Sequence, residues 1–200
     1  MTVAYGLRVC ALAALVLPGC AALPGGGPPP LDTYDLTLST EENPGPRRSR
    51  LQVLIPEPAA LKALDGEKIV VAPRPGAVQF LKGAQWSDRL PRIVQARLVE
   101  AFQASGSLGG VGMPGEGLAI DYQVVTEIRA FEIRIDGDAR AYVELYVKLL
   151  NDRNGVVRAS RSVSATAPVN GADNDDYVAA LDLAFTQASA EIVSWTLGRL

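Results

Sequence analysis

The chain has 200 residues, 48% of them hydrophobic, which is enough for one domain with a real core and too few to expect two. Nineteen lysines and arginines against 22 aspartates and glutamates give a net charge of −3, so no basic excess draws the molecule to nucleic acid. Histidine is absent and cysteine occurs only as Cys10 and Cys20, which removes the commonest general base and metal ligand.

In chain order, Arg8 is the only positive charge ahead of an apolar run, residues 9–17, that is too short to span a bilayer. This is the form of a secretory signal. The next residues, Leu17-Pro18-Gly19-Cys20, resemble the lipobox of bacterial lipoproteins, with Pro18 standing where a small or β-branched residue is usual. The resemblance implies that residues 1–19 are removed and that Cys20 carries a diacylglycerol, its new amino group being acylated as well. Each buried methylene contributes about 0.8 kcal/mol, so two or three chains hold a protein durably where one does not. Ala21 in place of an aspartate after the cysteine implies the outer membrane, facing the periplasm. On this reading Cys10 leaves with the signal and Cys20 is consumed by lipid, so the mature chain keeps no thiol and no disulfide. Loss of Arg8 takes the formal charge from −3 to −4. An ordinary secretory peptide cut elsewhere is the alternative, and it would leave Cys20 as a free thiol.

Residues 20–33 form a tether after the anchor: AALPGGGPPPL, residues 21–31, has glycines and prolines in place of apolar surface. Residues 34–200 then read as a single domain. Alternation predicts strands at 34–38 and 51–55, separated by the breaker Pro44-Gly45-Pro46, with further strands at 68–72 and 77–81. At 88–102 the period becomes helical, with Leu90, Val94, Leu98, Ala101 and Phe102 on one face, Ser87 or Asp88 as cap, and Pro91 in the tolerant first turn. Ser105-Gly106 ends that helix, and the glycine-rich 106–117 is a loop with room for a short strand. Leu118, Ile120, Tyr122 and Val124 share one parity, whereas Phe131, Ile133 and Ile135 share the other, so a bulge between Val125 and Ala130 is predicted within one long strand. Asp136-Gly137 and Asn154-Gly155 are hairpin turns bracketing the clearest strand, in which Ala141, Val143, Leu145, Val147 and Leu149 alternate with polar residues. Val157, Ala159, Val163 and Ala165 supply the next strand. Finally Val178, Leu181, Phe185, Ala188, Ile192 and Trp195 mark a helix over about 176–197, with Asp173 to Asp176 at its positive end. Two amphipathic helices and a one-sided sheet give an α+β two-layer sandwich, mostly antiparallel, with both helices on one face.

Candidate chemistry is sparse. There is no Gly-x-Ser-x-Gly elbow and no histidine to activate a serine, so serine hydrolysis is not expected, and no metal, cofactor or nucleic-acid motif is found. Asp173, Asp175 and Asp176 lack a calcium-loop spacing and read as helix caps, while Asp136 and Asp138 flank a turn glycine. Two surfaces remain as partner-binding candidates. One holds Arg89 and Arg92, with Arg97, on the first helix; the other holds Tyr142 and Tyr146, with Arg140, on the polar face of the sheet.

The block Trp86-Ser87-Asp88-Arg89-Leu90-Pro91, followed by Val94-Gln95, Leu98, Phe102 and Ser105-Gly106, resembles the W-x-D-x-L-P…F-x-x-S-G block of the ABC-type transport auxiliary lipoproteins, to which the paraquat-inducible protein C group belongs. Tyr34-Asp35-Leu36, Asp121-Tyr122 leading to Phe131-Glu132, the strand 141–152 and the late Trp195 extend the likeness from about 34 to 200. The resemblance implies a non-enzymatic accessory role in lipid transport across the envelope, beside an ABC permease and a Mce-domain protein, with no cofactor and with homo-oligomers allowed. It also implies that Trp86 anchors the first helix to the sheet. Two other readings stay open: an envelope scaffold that binds protein or glycan through the sheet face, and a carrier that encloses acyl chains within the sandwich.

Overall fold

The computed structural model describes residues 30–37 and 47–200. The signal segment, Cys20, tether residues 21–29 and the Pro44-Gly45-Pro46 breaker lie outside the described residues. The elements in chain order are β1 (Asp32–Tyr34), β2 (Arg48–Leu54), β3 (Ala59–Ala60), β4 (Lys68–Ala72), β5 (Gln79–Trp86), α1 (Leu90–Ala104), β6 (Leu108–Gly112), β7 (Tyr122–Arg134), β8 (Arg140–Asn151), β9 (Val157–Pro168) and α2 (Asn174–Leu197).

Thirteen residues long, β7 is the spine of a nine-stranded mixed sheet. Along one edge it takes β2, β3 and β4 in turn, all parallel, with Val53 opposite Tyr122, Ala59 opposite Glu127 and Val70 opposite Glu132. Its other edge pairs antiparallel with β8, and β8 with β9. Outer strands complete the sheet, with β6 parallel to β2 and β5 antiparallel to β4, and with β1 parallel to β5. The α+β sandwich therefore stands, with one refinement. Parallel ladders are frequent but short, none registering more than four residue pairs, whereas the β7–β8 and β8–β9 ladders register twelve and eleven. A meander closed by the five-residue connection 135–139 and by a short turn at Asn154-Gly155 pairs along its whole length, while strands brought together by longer connections meet only where they cross.

The parity change in β7 is resolved by one extra residue. Register slips between Ile128 and Ala130, leaving Arg129 as the bulge, and Val124, Ile128, Phe131 and Ile133 all remain buried. On β8 the alternation is complete: Ala141, Val143, Leu145, Val147 and Leu149 are each 0% exposed beneath α2, which crosses β7, β8 and β9. The helix α1 lies beside α2 and over β6. All six seam residues read from the sequence of α2 are buried, and Asp173 with Asp176 forms a reciprocal capping box at its start. Aromatic rings tie the layers together. Trp86, 1% exposed, meets Phe131 edge to face at 5.8 Å, and Phe131 meets Phe185 of α2 at 5.9 Å.

Several boundaries differ from the sequence expectation, each for a local reason. The first strand is Asp32–Tyr34, inside the expected tether, because Thr37 turns away to donate its N–H to Asp182 on α2 at 2.7 Å. β5 runs on to Trp86 because Gly83, at φ +75°, absorbs an irregularity that hid its second half. α1 starts at Leu90 with Arg89 at the cap position and no side-chain cap. Instead the Leu90 N–H donates to the carbonyl of Gly66 at 3.0 Å, and Asp88 accepts from the Arg89 N–H. Residues 118–120 are not strand, since β7 begins only after Asp121 accepts from the Gln52 N–H at 3.0 Å. Within the glycine-rich segment β6 does form; a side chain at Gly109 would run into the Ser49 carbonyl of β2.

Replacing Trp86 or Phe131 by alanine removes a ring from a filled core and is expected to cost about 3–5 kcal/mol in either case. Urea unfolding of the singles and the double should also show a coupling of about 0.5–1.5 kcal/mol, because the rings are in contact.

Candidate partner-binding surface

With both helices on one side, alternation sends the other half of the β7, β8 and β9 side chains to the opposite face. Register sets them in rows: Glu132, Tyr142 and Thr166; Ala130, Glu144 and Ser164; Glu127, Tyr146 and Ser162. Neither tyrosine stands free. The Arg134 guanidinium lies 3.5 Å from the Tyr142 ring centre, and that of Arg129, projected by the bulge, lies 4.1 Å from Tyr146. Arg134 also donates to Glu132 at 2.9 Å, and Arg129 pairs with Glu127 at 3.5 Å.

Glu144 is the hub of this face. Its two carboxylate oxygens accept from the Ser162 hydroxyl at 2.8 Å and the Tyr142 hydroxyl at 2.9 Å. Those hydrogen bonds, with Arg129 and Arg134 nearby, hold its carboxyl below the usual glutamate range. Burial, and then the bond to Glu144, push the Tyr142 phenol up. The face therefore presents guanidinium edges, hydroxyls and carboxylates rather than bare aromatic rings. At one end of the face a cleft of about 420 Å³ opens between Ala72, Arg74, Val78, Glu132, Arg134 and Asp136.

Arg89 and Arg92 lie elsewhere, at the start of α1 in the helical layer, so the two candidate surfaces are separate. Arg89 is occupied by Asp65 and by Glu57, the latter at 3.0 Å, and ties the turn before β4 to the helix. Arg92 pairs with Asp88 at 3.4 Å and keeps a 60% exposed side chain. Arg97 joins Asp35 at 3.1 Å, next to Tyr34, whose hydroxyl donates to Asp175 at 2.6 Å. That bond raises the Tyr34 phenol to about 12. Residues 34–37 are thus strapped to both helices. Asp173 and Asp176 cap α2, and among the described residues no group of three or more carboxylates or other metal-ligating side chains is placed to hold a metal. Arg129, Arg134, Glu144 and Ser162 were missed as candidates from the sequence; their shared parity with Tyr142 and Tyr146 across the hairpin was the available signal.

Residues 34–193 match the ABC-type transport auxiliary lipoprotein component family. The chain belongs to this family. Protein XCC0632 from Xanthomonas campestris has the same fold at a TM-score of 0.79 and 32% identity, covering 84% of this chain and 95% of that one. The hypothetical protein CT253 from Chlamydia trachomatis shares the fold at a TM-score of 0.53 and 11% identity, over 74% of this chain and 96% of that one. The uncharacterized protein bll6063 from Bradyrhizobium diazoefficiens is 34% identical over 188 residues, or 91% of this chain and 49% of that protein. The chain thus spans about half the length of this curated relative. No described helix is long and apolar enough to cross a membrane.

Because folding lowers the Glu144 carboxyl, its contribution to stability is present above its ordinary value of 4.5 and is lost as pH falls through the lower folded value. Glu144→Gln should therefore be less stable than the parent at neutral pH, with the difference narrowing below about pH 4. Thermal melts followed by circular dichroism from pH 7 to 3 would read this directly.

Proposed function

We propose that the protein is a non-enzymatic accessory lipoprotein of a Mce/ABC-type lipid transport system, held through lipid on Cys20 to the outer membrane and docking the periplasmic Mce-domain component beside its ABC permease. Membership of an auxiliary transport lipoprotein family is the observation that carries this reading. Two further features support it. The lipobox and the absence of histidine leave attachment as the covalent chemistry this sequence is suited to. The face of β7, β8 and β9 turned away from the helices is polar, rigidly hydrogen-bonded and without a covering layer among the described residues.

On this reading Tyr142, Tyr146, Arg129 and Arg134 meet the partner as a preorganised polar patch, since each guanidinium is already fixed over a ring and loses little freedom on docking. The test is affinity purification of the full chain from solubilised membranes. Recovery of a Mce-domain protein and an ABC permease is expected with the parent, and at least ten-fold less with Tyr142→Ser/Tyr146→Ser, while the melting profile shows that the variant folds. A parent preparation that brings down no Mce protein would overturn the reading, and one enriched in an unrelated envelope protein or glycan would favour the scaffold role.

A further inference from the structure

The chain uses its two kinds of cation differently. Among the described residues every ion pair is made by an arginine and none by a lysine. The whole sequence has four lysines, and three of them, Lys62, Lys68 and Lys82, lie in the turn before β4, on β4 and on β5. Lys62, Lys68 and Phe80 line one open recess of about 580 Å³. The Lys68 ammonium sits 4.9 Å from the Phe80 ring centre, and Lys82 follows Phe80 by two residues on β5. Two large apolar side chains at this corner are turned to solvent: Phe80 is 40% exposed and Leu61, next to Lys62, is 77% exposed. Asp65 in the rim is already held by Arg89, which leaves Glu67 against the ammonium groups of Lys62 and Lys68.

We propose that this corner rests on the surface of an anionic phospholipid bilayer. Exposed phenylalanine and leucine interleaved with lysine is the composition that enters the headgroup boundary, the apolar groups inserting while flexible ammoniums meet phosphates without fixed geometry. In a protein whose formal charge is −3 such a local excess is distinctive. Tether length brings the corner within reach of the anchor. Cys20 lies twelve residues before Asp32, and covalent geometry allows at most about 40 Å between the two. The proposal rests on the reading of Cys20 as the lipid anchor and adds to it an orientation: the domain lies with the β4–β5 corner down, leaving the β7–β8–β9 face to the partner.

The test places an environment-sensitive fluorophore on Leu61→Cys in the mature chain, with Val157→Cys in the β8–β9 hairpin as the comparison site. Flotation with phosphatidylcholine vesicles reads the anchor alone. Labelled Leu61→Cys should then brighten by about two-fold or more, with a blue shift, when phosphatidylglycerol is included, and about 0.5 M salt should remove the difference. Lys62→Glu/Lys68→Glu/Lys82→Glu should abolish the response while flotation persists. An equal signal in the two kinds of vesicle, an equal rise at Val157→Cys, or a response unchanged in the triple variant would overturn the proposal. Should the protein not float with phosphatidylcholine, the anchor reading fails by itself. The corner is then judged by whether phosphatidylglycerol vesicles bind the parent and not the triple variant.

Discussion

The extra residue at Arg129 is the constraint on which the rest of the structure depends. A strand of thirteen residues whose apolar positions change parity part-way would, without correction, turn half of its hydrophobic side chains to water. The bulge restores Phe131 and Ile133 to the buried face, and so allows one strand to serve as the shared edge for β2, β3 and β4 on one side and for β8 along the other. It also gives the outer face its pattern. The residue that the ladder cannot pair is an arginine, and its guanidinium is laid over Tyr146. Core packing and the polar pattern of the outer face are thus set by the same slip in register.

A single helical layer makes the two sheet faces unlike. Beneath α2 the alternating residues of β8 are wholly buried, and Trp86, Phe131 and Phe185 link β5, β7 and α2 through one run of rings. On the far side polar groups satisfy one another: Glu144 accepts two hydroxyls, and Arg134 serves both Glu132 and the Tyr142 ring. Such a face stays ordered without a partner, which suits docking at low entropic cost. The N-terminal end of the described domain is equally firm. Tyr34, Asp35 and Thr37 are tied to Asp175, Arg97 and Asp182, so this segment is held to both helices.

Much of this was legible from spacing. The alternation of Ala141 to Leu149, the seam from Val178 to Trp195 and the Asp-Gly and Asn-Gly turns each specify an element by local chemistry, and each is present. The bulge was legible as well, since a parity change inside an uninterrupted apolar pattern has few other solutions. Less of the candidate site could be read. Tyr142 and Tyr146 were visible as polar-face residues, but their partners lie on β7 and β9, and a sequence does not state which guanidinium covers which ring. Arg89 and Arg92 looked like a charged helix face, yet Arg89 closes a network with Asp65 and Glu57 that depends on how the turn before β4 folds back.

By itself the sequence determined much of what kind of molecule this is: a chain with no histidine and a two-layer α+β domain whose helices and meander are encoded by periodicity. Those properties are local, fixed by residue type and by neighbours within a few positions. Only the tertiary structure decided that short parallel strands would line one side of β7, that Leu90 would be capped by the distant Gly66 carbonyl, and that Lys62 and Lys68 would line one recess with Phe80. These are contacts between segments far apart in the chain. Their formation is governed by burial and backbone hydrogen bonding across the whole domain, which no local pattern records.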